Sequence, residues 1–142
     1  MSDSCCNGGP DLMILSCSGG SNVGQLANQA AAELTQEGFG KMFCLAGIGG
    51  HLSGFVQSAK DVPAMVAIDG CSVGCAKAML EHAEISPSSY LVLTDEGIEK
   101  NKNFRLERTD IEKVKNAVKR VVSDGPGSNG NSAKASCGFS CC

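Results

Sequence analysis

Two hydrophobic periods alternate along residues 11–123. Unbroken apolar runs of about four residues recur: Leu12-Met13-Ile14-Leu15, Met65-Val66-Ala67-Ile68 and Tyr90-Leu91-Val92-Leu93. Runs of that length suit strands buried on both faces. Between them the apolar residues take helical spacing. Val23, Leu26, Ala27, Ala30, Ala31 and Leu34 fall at i, i+3, i+4, i+7, i+8 and i+11, one stripe of a helix. Ser21 or Asn22 can cap its start and Gly38 can end it. The pattern predicts strands over 11–17, 41–46, 63–69 and 89–94. A loop is expected at 47–50. Leu52, Phe55, Val56 and Ala59 mark a short helix, and Val73, Ala76, Leu80 and Ala83 another. Thr109-Asp110-Ile111-Glu112 has the form of a capping box, and Ile111, Val114, Val118, Val121 and Val122 continue it as a last helix.

Strands this apolar, separated by helices, imply a parallel sheet covered on both faces. With right-handed crossovers the expected fold is a three-layer, Rossmann-like α/β domain of about four parallel strands in the order 2-1-3-4. Residues 1–10 and 124–142 differ in composition. Both are polar, rich in Gly, Ser or Asn, and contain cysteine. They read as flexible ends around one domain over 11–123.

Composition narrows the function. The 142 residues are 42% hydrophobic, but only 4% aromatic, with no Trp. The formal net charge of -3 offers no basic surface for nucleic acid. No apolar run reaches a membrane span, and the start of the chain lacks the charged and apolar segments of a signal peptide. A cytoplasmic protein with no nucleic-acid or membrane partner is expected.

Nine cysteines stand out. An odd count without a secretion signal points to metal or redox chemistry in a reducing compartment. Cys17, Cys44 and Cys71 recur every 27 residues (17, 44, 71), one strand-plus-helix unit. Each should therefore lie near the carboxyl edge of the sheet, where open α/β folds bind ligands. Cys75, four residues after Cys71 at a strand-to-helix turn, completes a set of four. A helix start there stabilises anionic sulfur. Four thiolates suit tetrahedral zinc, or alternatively an iron–sulfur cluster. Asp69 can orient a ligand from behind or serve as a turn residue. Cys137, Cys141 and Cys142 are possible accessory thiols for a soft ion.

Cys17-Ser18-Gly19, Asn22, Gly24-Gln25-Leu26-Ala27, Cys44-Leu45-Ala46-Gly47-Ile48-Gly49, Asp69-Gly70-Cys71 and Cys75-Ala76-Lys77 together resemble the DGC-domain family, named for its Asp-Gly-Cys motif. The resemblance spans roughly residues 11–105. It implies zinc binding through Cys17, Cys44, Cys71 and Cys75, and it implies no assigned biochemical role.

Other readings compete. A thiol enzyme would use Cys17 or the Cys71/Cys75 pair in redox or oxyanion chemistry. The turn from Cys17 to Val23 resembles the phosphate loop of low-molecular-weight phosphatases. Val23 stands where that loop needs an anion-gripping Arg. Cys71 and Cys75 lack C-x-x-C spacing. A metal-binding protein without catalysis is favoured. His51 is read as a loop residue, with ligation or proton transfer as the alternative, and His82 as a surface residue. Lys100, Lys102 and Arg105 are read as a solvated basic face.

Overall fold

The computed structural model describes residues 11–125. Cys5, Cys6, Cys137, Cys141 and Cys142 lie outside them. The elements run β1 (Leu12–Ser16), α1 (Asn22–Gln36), β2 (Lys41–Met42), α2 (Leu45–Gly49), α3 (Ser53–Asp61), β3 (Ala64–Asp69), α4 (Cys75–His82), β4 (Ser89–Val92), a short 3-10 turn (Leu93–Glu96) and α5 (Arg108–Ser123). The sheet has the order β2-β1-β3-β4, with all neighbours parallel. The expected architecture and strand order are those observed.

The pleat explains why the strands are apolar throughout. Leu12 and Ile14 of β1, with Val66 and Ile68 of β3, pack on Leu26, Leu34, Val114 and Val118 from α1 and α5. Their neighbours Met13, Leu15, Met65 and Ala67 point the other way, onto Ile48, Ala59 and Leu80 from α2, α3 and α4. Successive side chains of one strand thus feed two separate cores. A fully buried Leu or Ile contributes about 1.5–3 kcal/mol.

α1 starts as its sequence suggests. Ser21 Oγ accepts the Gly24 amide, and Gly38 takes a left-handed φ of 78° just past the helix. α5 is tied to α1 by ions. Arg108 makes a fork-like contact with Glu33, at 2.7 and 2.8 Å. Lys115, almost fully buried, reaches Glu33, Glu37 and Glu112.

Five local expectations need correction. β2 covers Lys41–Met42 only, and the chain then turns into α2 at Leu45. The Phe43 amide makes the last bond to β1, and the Cys44 carbonyl already accepts from Gly47. Cys44 therefore caps a helix and does not end a strand, and the expected loop at 47–50 is mostly helix. α4 begins at Cys75, which leaves Val73 ahead of it and 71% exposed. β4 ends at Val92, and Leu93 enters the 3-10 turn. The capping box does not form: Glu107 is the cap of α5 and its side chain makes no capping bond. Among the described residues, no helix is long and apolar enough to cross a membrane.

A thiol cleft at the carboxyl edge of the sheet

Three strand exits meet at the carboxyl edge. The Cys17 amide adds one more rung after β1 by donating to the Ile68 carbonyl at 2.9 Å. Its sulfur accepts the Gly70 amide at 3.1 Å. The side chain is only 8% exposed. Burial, first of all, pushes the Cys17 thiol up to about 11, against the pull of the Gly70 amide, while the nearby charge of Asp69 and of Cys75 adds to the rise. Desolvation disfavours the thiolate more than one amide dipole favours it.

Two glycines make this closeness possible. A Cβ on Gly70 would lie 2.7 Å from the Val23 carbonyl carbon and 2.8 Å from the Gly24 nitrogen. A Cβ on Gly24 would lie 2.6 Å from the Gly19 nitrogen. The exit of β3, the first turn of α1 and the turn after Cys17 therefore pack backbone against backbone, which only glycine permits.

Asp69 is an anchor. It is 1% exposed and its carboxylate accepts the Ala76 amide at 2.8 Å, the Lys77 amide at 3.1 Å and the Tyr90 hydroxyl at 2.8 Å. It thus holds the first turn of α4, where Cys75 is the first residue. Burial, then the Asp69 carboxylate, raises the Tyr90 phenol well above its ordinary value, so it stays a donor. The contact that Asp69 makes positions the start of a helix.

Cys17, Cys71 and Cys75 line one cleft of about 450 Å³, with Ser18, Gly19 and Gly20 on one side and Leu45, Val73 and Met79 on the other. Cys71 is half-buried and accepts from Lys100 Nζ at 3.3 Å. Cys75 is exposed. Cys44 is exposed at the cap of α2 and is not part of the lining, although its neighbour Leu45 is. All four are free thiols. The donor chemistry suits a thiophilic ion. As the side chains stand, however, no three His, Cys, Asp or Glu among the described residues are gathered to hold one.

His51 lies in an exposed turn and His82 at the surface, as expected, and the two meet each other. His51, at a left-handed φ of 54°, places Nε2 2.6 Å from His82 Nδ1, edge to face. The pair joins the ends of α2 and α4, and neither residue lines the cleft. The basic cluster is not simply a solvated face. Lys100 and Lys102 line the cleft, while Arg105 does not. What holds them is Asn22. Its side chain donates to the Glu99 carbonyl at 2.8 Å and accepts the Asn101 amide at 2.6 Å. Its own amide donates to the Asn101 carbonyl at 3.0 Å. Read locally, Asn22 signals only a helix cap. The one clue to the lysines is their place after β4, next to the strand that delivers Cys71.

A family model described as the DGC domain matches residues 13–118. The chain is also 34% identical over 116 residues to the anaerobic and virulence modulator AnvM of Pseudomonas aeruginosa, covering 82% of this chain and 88% of that protein. No solved structure matches the chain.

Proposed function

The chain belongs to the DGC-domain family, and from that premise we propose that it is a metal-binding protein, with zinc as its ion, liganded by Cys17, Cys71 and Cys75 and by Cys44 as the fourth thiol. The observation that carries the reading is that three thiols from two strand exits and one helix start open on a single cleft. Zinc would supply a cross-link between those segments and would take each sulfur as thiolate. The chain's own groups suit that charge. The Gly70 amide already donates to Cys17 and Lys100 to Cys71. Asp69 fixes the turn that carries Cys75. Cys44 sits beside the lining residue Leu45 and caps a five-residue helix without a side-chain capping bond, so a shift at that helix start would bring in the fourth sulfur. Among structural, sensing and handling roles, kinship with a protein named a modulator favours sensing, in a reducing compartment.

Elemental analysis of protein purified without chelator tests this reading. About one zinc per chain is expected for four thiolates. It should be lost in Cys17→Ser, Cys71→Ser and Cys75→Ser, weakened in Cys44→Ser, and retained in Cys137→Ser or Cys141→Ser. Iron with visible absorbance would replace zinc by a cluster. Zinc binding that survives all four substitutions refutes the assignment.

A second reading rests on one observation, the ammonium of Lys100 against the half-buried Cys71. The contact sets a cation against that sulfur, and Cys75 lines the same cleft as a partner thiol. In this reading Cys71 and Cys75 exchange electrons as a dithiol and a disulfide. A Cys71–Cys75 disulfide formed with oxidised glutathione, detected by peptide mass spectrometry, would favour it. Its absence in chelated protein would remove it.

A further inference from the structure

We propose that the cleft also binds a small organic anion, one with a carboxylate or sulfonate head and a short apolar body, through Lys100 and Lys102. This goes beyond metal binding and does not depend on it.

Four observations point to such a ligand. The two lysines face the cavity from a single segment, although the chain as a whole carries net charge -3. Neither forms an ion pair with a described residue. Glu33, Glu37, Glu112 and Glu96 are engaged elsewhere, in the α1–α5 network and on Arg120, and Asp69, the carboxylate in the cleft lining, is taken up by the Ala76 and Lys77 amides and the Tyr90 hydroxyl. Lys100 Nζ rests on the Cys71 sulfur and Lys102 Nζ on the uncharged Gly20 carbonyl, and neither meets a carboxylate there. An ammonium held there would gain from a true counter-ion.

The lysines are also held in place. Asn22, 8% exposed, fixes residues 99–101 through its side chain and its amide, across 77 and 79 residues of sequence. The backbone that carries Lys100 and leads into Lys102 is thereby fixed beside the cleft before any ligand arrives. Preorganisation of this kind lowers the entropic cost of binding.

The space beside them is open. A Cβ at Gly19 would meet nothing within 4 Å, and one at Gly20 would meet only Lys102 Nζ, at 3.8 Å. The far wall is apolar. Val73 and Met79 are 71% and 38% exposed, large hydrophobic side chains turned to solvent at the mouth. A volume of about 450 Å³ lies within the range of small-molecule sites, which pair apolar walls with a few placed charges. Inorganic phosphate would use the lysines but leave that wall bare, so an anion with an apolar body matches the site better.

The probe is anilinonaphthalene sulfonate, titrated by fluorescence into the full chain, reduced and stripped of metal with chelator. One saturable site per chain is expected. Lys100→Gln with Lys102→Gln should weaken it about tenfold, the size expected for a charge-assisted contact. Lys41→Gln with Lys60→Gln, on β2 and α3, should leave it unchanged. Val73→Asp, at an exposed position that folding does not depend on, should weaken it too. The uncharged analogue phenylnaphthylamine should bind less tightly. Equal loss in both lysine pairs, equal binding of the uncharged analogue, or no saturable site would overturn the proposal. Because metal is removed throughout, these results are independent of zinc content, which fails or succeeds by elemental analysis alone.

Discussion

The Gly70 amide donates to the Cys17 sulfur at 3.1 Å, so the second residue of the Asp-Gly-Cys motif serves a cysteine 53 positions earlier. The contact requires the exit of β3 to lie against the first turn of α1. A methyl group on Gly70 would meet the backbone of Val23 and Gly24 below 3 Å. Backbone cannot yield as a side-chain tip can. Gly70→Ala is therefore expected to cost about 2–4 kcal/mol, the range of strong overpacking. Urea unfolding measures it, and an unchanged midpoint would contradict the packing described.

The thiols should differ in reactivity. Cys44 and Cys75 are exposed, Cys71 is half-buried, and Cys17 is buried with its thiol raised to about 11. At pH 7 only about one Cys17 in ten thousand would be thiolate. In reduced, metal-free protein, iodoacetamide should label Cys44 and Cys75 first and Cys17 last. The Cys17 rate should climb about tenfold per pH unit towards pH 11. Peptide mass spectrometry follows each site. Cys17 labelled at pH 7 as fast as Cys75 would rule out the buried, protonated state.

Asp69 anchors the turn that presents Cys75, and Tyr90 is one of its three donors. Tyr90→Phe leaves the buried carboxylate short of one bond and should cost about 1–2 kcal/mol. Asp69→Ala strips two amides of their acceptor and removes the Tyr90 contact, and should cost more, about 2–4 kcal/mol, as a lost cap and a lost hydrogen bond combined. Denaturant unfolding ranks the two. The idea fails if Asp69→Ala is as stable as wild type.

Elements that the sequence announces are those set by local period. The runs Leu12-Met13-Ile14-Leu15 and Met65-Val66-Ala67-Ile68 each serve two cores, and nothing but a strand in the middle of a covered sheet needs that. The stripe from Val23 to Leu34 likewise allows one helix face. Phe43-Cys44-Leu45-Ala46 is different. A short apolar run cannot be told from the start of a buried helix by period alone, and here the chain leaves β1 after Phe43 and coils. The same ambiguity displaces Cys44 from a strand end to a helix cap. The thiols at 17, 71 and 75 were legible because parallel strands end side by side. Lys100 and Lys102 were not. Their place depends on Asn22, 77 residues or more away, and no local pattern encodes such a contact.

Acid should loosen the seam between α1 and α5 by a predictable route. The Arg108 guanidinium, first, then Gln29 and Lys115, hold the Glu33 carboxyl at about 2, below its ordinary 4.5. A carboxyl depressed in the folded state binds protons less readily than in the unfolded chain. Its contribution to stability is therefore complete above about pH 4.5 and is lost as pH falls towards about 2. Glu33→Gln lacks this titration. Its unfolding free energy should lie below wild type at neutral pH, and the gap should narrow steadily between pH 4.5 and 2. Urea titrations across that window compare the two curves. Glu37 and Glu112 are also held low, chiefly by Lys115, so both proteins should still lose stability in acid. Only the difference between them isolates Glu33. Curves that stay parallel down to pH 2 would mean that the carboxylate of Glu33 contributes nothing to the seam.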